Sequence, residues 1–191
     1  CVTGVQTCAL PILPINFTLG FSARQNYLAA RLSNPDFVNV FLGRLNQMVS
    51  ENSVGAGDLV GEKVTLATQE ALLRARKQYP KVGTRLIGAS IRSGEQVAFL
   101  AGLDVMTIPP SAMEEFLKMK HPVGTMSSNI GEDINPGIDF SHPHGLRFHK
   151  LWEVPDAFVQ FVNDLLTSTN LDSMTGGEME SFCRERNVDL F

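Results

Sequence analysis

From residue 15 onward, short apolar runs alternate with stretches of helical periodicity, and that alternation limits the folds open to the chain. The runs are INFTLGF (15–21), FVNVFLG (37–43), TRLIGAS (84–90) and LDVMTIP (103–109). Their β-branched and aromatic content reads as strand. Ser22 caps a first helix carrying Tyr27 and Leu28, which Asn34-Pro35-Asp36 breaks. A polar, Gly-containing connection is expected over 46–62, then a helix over about 65–79. That helix holds Leu66, Leu72, Leu73 and Ala75, and its late cations Arg74, Arg76 and Lys77 suit a helix C-terminus. Ser93 stands three before Gln96, and Ser111 three before Glu114, each a capping-box spacing. The β-α-β-α order argues for a parallel sheet covered by helices. Parallel strands buried on both faces should be almost wholly apolar, so polar residues within them need a reason.

Composition narrows the class. Hydrophobic residues make up 43% of the 191, enough for a core, so global disorder is not expected. A net charge of −4 argues against a basic face that wraps nucleic acid. No apolar run approaches the ~20 residues of a membrane helix. Neither nucleic acid nor membrane is therefore expected as a partner. Three cysteines without metal-type spacing argue against a disulfide framework, and a cytoplasmic location is expected.

Several features carry little chemistry. Residues 1–12, CVTGVQTCALPI, resemble the translation of a sequencing adapter more than a protein segment; the other reading is an apolar strand over 8–12. They lack the basic stretch of a signal peptide and are left out of the functional reading. Ser141-His142-Pro143-His144 with His149 reads as a metal site or as a surface loop. No carboxylate or cysteine falls at metal spacing, so no metal and no cofactor is expected. Cys183 has no indicated base and reads as structural. Gly55-Ala56-Gly57 lacks the Gly-Lys-Ser/Thr ending of a phosphate loop and reads as a flexible connection. After residue 120 the chain turns to loops, with apolar helix expected over 155–166 and a last helix from Thr175.

The strands do contain polar residues: Asn16 and Thr18 in the first, Asn39 in the second and Ser90 at the end of the third. Arg44 and Arg92 follow the second and third. In α/β barrels the C-terminal strand ends build the active site, and the loops after the late strands often hold phosphate. Arginine suits that task because its planar fork donates paired hydrogen bonds. The alternative leaves Arg44 solvated and pairs Arg92 with an acid such as Glu95. Asn16 and Thr18 share one strand face. They either bond neighbouring strands or hold water or a substrate hydroxyl.

NFTLGFS (16–22), VNVFLGRLN (38–46), IGASIR (87–92) and LDVMTIPP (103–110) together resemble strands five to eight of the transaldolase family, in order. The resemblance covers about residues 15–119. It implies an α/β fold that is a partial (β/α)8 TIM barrel, strands five to eight with their helices, plus a C-terminal helical extension. The division is then a non-native 1–12, half a barrel over 13–120 and an extension over 121–191.

The activity implied is transferase chemistry of the pentose phosphate pathway. A lysine Schiff base carries a dihydroxyacetone unit from a ketose phosphate to an aldose phosphate. By resemblance, Asn16 hydrogen-bonds the dihydroxyacetone and Thr18 positions the catalytic water. Asn39, Phe41 and Ser90 contact substrate, and Arg44 and Arg92 clamp the phosphate. Phe41 favours transaldolase over fructose-6-phosphate aldolase, which has Tyr there. Asn39 departs from the family's more frequent Ser, and residues 47–62 and the tail match it poorly. The Schiff-base lysine belongs to strand four, before the matched residues. Lys63, Lys77, Lys81, Lys118, Lys120 and Lys150 all fall in helical or loop contexts. This polypeptide alone is therefore expected to be inactive, with homo-oligomers possible for the full-length protein. A non-catalytic sugar-phosphate binder on the same barrel remains the alternative from another class.

Overall fold

A computed structural model of the chain describes residues 13–122, 124–167 and 175–185. The expectations for residues 1–12 lie outside them. The elements are β1 (Asn16–Phe17), α1 (Ala23–Leu32), β2 (Phe37–Phe41), α2 (Leu42–Glu51), α3 (Val60–Gln78), β3 (Arg85–Ala89), α4 (Gly94–Phe99), β4 (Val105–Met106) and α5 (Pro110–Lys118). A 3-10 turn (Gly145–Leu151), α6 (Asp156–Thr167) and α7 (Gly176–Glu185) follow. The strands form one four-stranded sheet in sequence order, every pair parallel. The α/β class with a parallel sheet, expected from the alternation, is what the chain adopts.

Period-two alternation assigns the faces. Val38, Val40 and Leu86 are fully buried in one cluster with Ala30, Leu45, Val64 and Leu72 from the covering helices. Burial of each such side chain contributes roughly 1.5–3 kcal/mol. The intervening Phe37, Asn39 and Phe41 turn to the opposite face, in register with Arg85, Ile87 and Ala89. Asn16 stands level with Phe37 and so joins that second face.

Local chemistry sets the helix starts. Ser22 Oγ accepts from the Gln25 N–H at 3.0 Å, and Gln25 Oε1 takes the Phe21 N–H at 3.1 Å. Ser93 and Gln96 repeat the device: Ser93 Oγ accepts the Gln96 N–H at 3.3 Å. The Gln96 side chain then reaches one residue past a standard capping box, to the Arg92 N–H.

The structure differs from expectation in four places. The first and last strands, expected over 15–21 and 103–109, are only Asn16–Phe17 and Val105–Met106, so Thr18 lies just past β1. The strand reading of 37–43 stops at Phe41, and the supposed polar connection begins as α2, which already contains Gly43 and Arg44. The α3 helix starts at Val60, before the expected 65. Ser111 is not a cap: Pro110, with φ set by its ring, opens α5 after Pro109. The Gly55-Ala56-Gly57 connection is also pinned, since the Gly57 N–H donates to Gly137 O at 2.9 Å and the Gly137 N–H to Asp58 O at 2.7 Å.

The later helices pack on the outer layer. Phe158, Phe161, Val162 and Leu165 of α6 bury against Ala23 and Tyr27 of α1 and Ala71 and Ala75 of α3, with Cys183 in the same cluster. Arg24 Nε donates to Glu153 O at 2.8 Å. The capping box at Thr175 is present: its N–H donates to Glu178 Oε2 at 2.6 Å. No helix among the described residues is long and apolar enough to cross a membrane.

Candidate active site

The strands carry their polar residues at different heights: Asn16 stands level with Phe37 at the start of β2, Asn39 is midway along β2, and Ser90 follows the end of β3. Asn16 is exposed on β1, and Thr18, two residues on and also exposed, shares its face. Continuing the register carries Thr18 level with Asn39 of β2. Asn39 is 5% exposed, and its Oδ1 has no hydrogen-bond partner among the described residues. A buried acceptor left unmade costs about 1–3 kcal/mol, so this atom calls for a donor. Its main-chain oxygen is held by Asn26 Nδ2 of α1 at 3.1 Å. Phe41, half-buried at the end of β2, packs its ring 6.0 Å from that of Phe21.

Beyond Phe41 the chain turns directly into α2, and Gly43 is where the next strand's end comes closest. A β-carbon there would overlap Ser90 O, and would stand 2.7 Å from Arg92 Nε and 3.0 Å from Ser90 Oγ. The absence of a side chain lets the Ser90–Arg92 segment lie on the first turn of α2. Ser90 itself adopts φ 65°, a left-handed conformation uncommon for a residue with a β-carbon. It re-aims the chain so that Arg92 crosses Gly43. Arg92 Nη2 then donates to Gln47 Oε1 of α2 at 2.7 Å.

Arg44 and Gln47, three apart on one helix, are surface neighbours. Arg44 is exposed and makes no hydrogen bond or ion pair among the described residues. Arg92 meets a neutral amide and does not pair with Glu95. Gly43, Arg44, Ser90 and Arg92 thus come together, with neither arginine neutralised by a carboxylate. Asn16, Thr18, Asn39 and Phe41 form a second group by shared face.

The residues that hold this rim in place had no mark in the sequence. Glu62, in the first turn of α3, is 3% exposed. It accepts from Asn46 Nδ2 at 2.9 Å and from Gln96 Nε2 at 2.6 Å. An acid in a first helical turn usually reads as a solvated partner of the helix dipole. Its burial arises from the approach of α3 to α2, which sequence spacing does not reveal. Gln47, within the stretch expected as a polar connection, belongs to α2.

None of the six lysines lies on a strand: Lys63 and Lys77 are in α3, Lys118 in α5, Lys150 in the 3-10 turn, and Lys81 and Lys120 in loops. The His142 and His144 rings lie 5.4 Å apart, tilted by 39°, in a turn. No group of three or more His, Cys, Asp or Glu among the described residues is placed to hold a metal ion.

A family model described as transaldolase/fructose-6-phosphate aldolase matches residues 13–149. A protein named probable transaldolase from Parvibaculum lavamentivorans is 33% identical over 116 residues, 58% of this chain and 47% of that protein. Another from Phenylobacterium zucineum is 34% identical over 125 residues, 64% of this chain and 46% of the relative. A transaldolase from Kluyveromyces lactis is 31% identical over 114 residues, 57% of this chain and 32% of the relative. The chain spans about half the length of the curated relatives it matches.

Proposed function

We propose, for a chain that belongs to the transaldolase/fructose-6-phosphate aldolase family, that it supplies the phosphate-binding side of a transaldolase site. In this reading residues 13–120 are strands five to eight of a (β/α)8 barrel, and 121–191 are an extension on its outer layer. Arg44 and Arg92 clamp the phosphate of the sugar, and Ser90 lines the same pocket. Asn16 hydrogen-bonds the dihydroxyacetone unit, Thr18 positions the water that shuttles protons, and Asn39 contacts a sugar hydroxyl.

The amine that attacks the ketose carbonyl is a lysine outside this chain, on strand four. Condensation of that amine with the carbonyl releases water and leaves a Schiff base. Cleavage of the carbon–carbon bond releases an aldose phosphate, the retained dihydroxyacetone unit adds to a second aldose phosphate, and water hydrolyses the new Schiff base to release the product ketose phosphate and the free amine. A nucleophilic lysine needs desolvation on an apolar strand to hold its amine neutral, and none of the six lysines here has that setting. The chain alone is then inactive, and the assembled enzyme is a cytoplasmic transferase of the pentose phosphate pathway.

What supports this reading is that Arg92 bonds Gln47, three residues along α2 from Arg44, and that neither arginine has a carboxylate partner among the described residues. Phe41 argues against the free aldolase, because its ring offers no phenol to activate water.

Equilibrium dialysis of this chain with inorganic phosphate and with fructose 6-phosphate tests the clamp. Arg44→Ala and Arg92→Ala should each weaken binding by roughly tenfold or more, since a hydrogen bond to a charged group contributes about 1.5–3 kcal/mol. Arg92→Lys should rescue little, because the fork is lost. Equal affinities in wild type and both alanine variants would remove the clamp. Borohydride treatment with fructose 6-phosphate should give no covalent adduct; an adduct on any of the six lysines would overturn the placement of the nucleophile elsewhere.

A further inference from the structure

We propose that Glu62 is a positioning residue that sets the separation of the two arginines. The proposal rests on the reading of Arg44 and Arg92 as a phosphate clamp. Those residues sit on different elements, Arg44 in α2 and Arg92 just before α4. A clamp on separate elements needs something to hold the elements at one distance, because misplacement of a binding group by about 1 Å can cost orders of magnitude in function.

Glu62 is built for that task. Its Oε2 accepts from Asn46 Nδ2 at 2.9 Å, and Asn46 lies in α2 between Arg44 and Gln47. Its Oε1 accepts from Gln96 Nε2 at 2.6 Å, and Gln96 Oε1 in turn accepts the Arg92 N–H at 2.7 Å. The chain of contacts therefore runs from the first turns of α2, through one carboxylate, to the backbone of the second arginine. A further strut closes it: Asn46 Oδ1 accepts the Gly61 N–H at 2.7 Å. Gly61 permits this because a β-carbon there would overlap the Leu42 carbonyl.

The choice of acid has a reason in hydrogen-bond arithmetic. Both partners present amide N–H groups, so both oxygens must accept, which a carboxylate does and an amide does not. Glu62 has no cationic partner among the described residues, although it is 3% exposed. A buried acid is costly to keep without a cation, and apolar side chains would pack α3 on α2 at lower cost. What an apolar residue could not do is fix two amides, and with them two helices, in one geometry.

The test uses dialysis of inorganic phosphate with this chain, at a temperature well below each variant's unfolding midpoint. Glu62→Gln places an NH2 group against one of the two donors and should raise the phosphate Kd roughly tenfold, one decade being about 1.4 kcal/mol. Adding Asn46→Asp reverses the pair: the introduced amide donates to the introduced carboxylate, and net charge returns to its starting value. Most of the lost affinity should return, which general weakening of the fold would not produce. Gln96→Ala frees the Arg92 N–H, leaves Glu62 Oε1 without its donor and should weaken binding in the same direction.

The proposal is overturned if Arg92→Ala abolishes binding while Glu62→Gln and Gln96→Ala bind phosphate as tightly as wild type. In that case the clamp stands and its positioning by Glu62 does not. Failure of the wild-type chain to bind phosphate would remove the clamp, and this inference with it.

Discussion

A β-carbon on residue 43 would overlap the Ser90 carbonyl and crowd Arg92 Nε at 2.7 Å. The obstacle is main chain on one side and a long, movable side chain on the other. The Ser90 segment would have to withdraw from α2, and Arg92 would move with it. Gly43→Ala should therefore destabilise the chain by roughly 1–3 kcal/mol, the usual cost of overpacking a close contact. Its phosphate affinity should fall as well, although neither arginine is altered. Urea titration and dialysis, run side by side, measure both effects. Weakened stability with wild-type affinity would mean that Arg92 reaches the anion without crossing Gly43.

At the scale of elements, Asp104 does for the far end of the sheet what Glu62 does for the near one. It stands just before β4 and accepts from Arg76 Nη1 at 2.8 Å, Arg76 Nη2 at 3.0 Å, Gln69 Nε2 at 3.0 Å and the Leu86 N–H at 3.1 Å. It so ties α3 to β3 and β4. Burial pushes its carboxyl up, but the bonds from Arg76, Leu86 and Gln69 outweigh that and hold it below the ordinary range. A folded-state pKa below the unfolded one gives stability that is present above the unfolded pKa of about 3.9 and lost as pH falls through the folded value. The melting temperature of wild type should exceed that of Asp104→Asn by a constant margin above about pH 5, and the margin should close under acid. A margin that persists unchanged in acid would assign the effect to packing.

Asp104 also marks where the sequence stops being legible. The strands were readable because burial on both faces leaves runs such as VNVF and RLIGA with few polar breaks. The parallel pairing followed from the helices between them. What could not be read were contacts between elements: Asp104 meets Gln69 and Arg76, and Glu62 meets Asn46 and Gln96, with no periodicity linking the partners. The α2 helix was hidden for a local reason. Its first residues, Leu42 and Gly43, continue an apolar run and then supply a poor helix former, so the strand reading ran on past Phe41.

The whole sheet raises a question of exposure. Among the described residues β1 pairs only with β2 and β4 only with β3, so each outer strand keeps one row of backbone groups unpaired. The face carrying Phe37, Asn39, Phe41 and Ile87 points away from the covering helices. Leu13 and Leu19, beside the β1 edge, are 62% and 61% exposed. An uncovered parallel edge flanked by apolar side chains is a template for another chain. Light scattering at micromolar concentration should accordingly give a mass above the 20.9 kDa of one chain. Leu19→Lys should lower that mass, because a charge at an edge opposes pairing there. The short length of β1, two residues, limits how much one edge can contribute, so the variant should reduce association without abolishing it. A monomer that unfolds cooperatively would show instead that this four-stranded sheet closes its own surface. The barrel reading would then lose its demand for further strands.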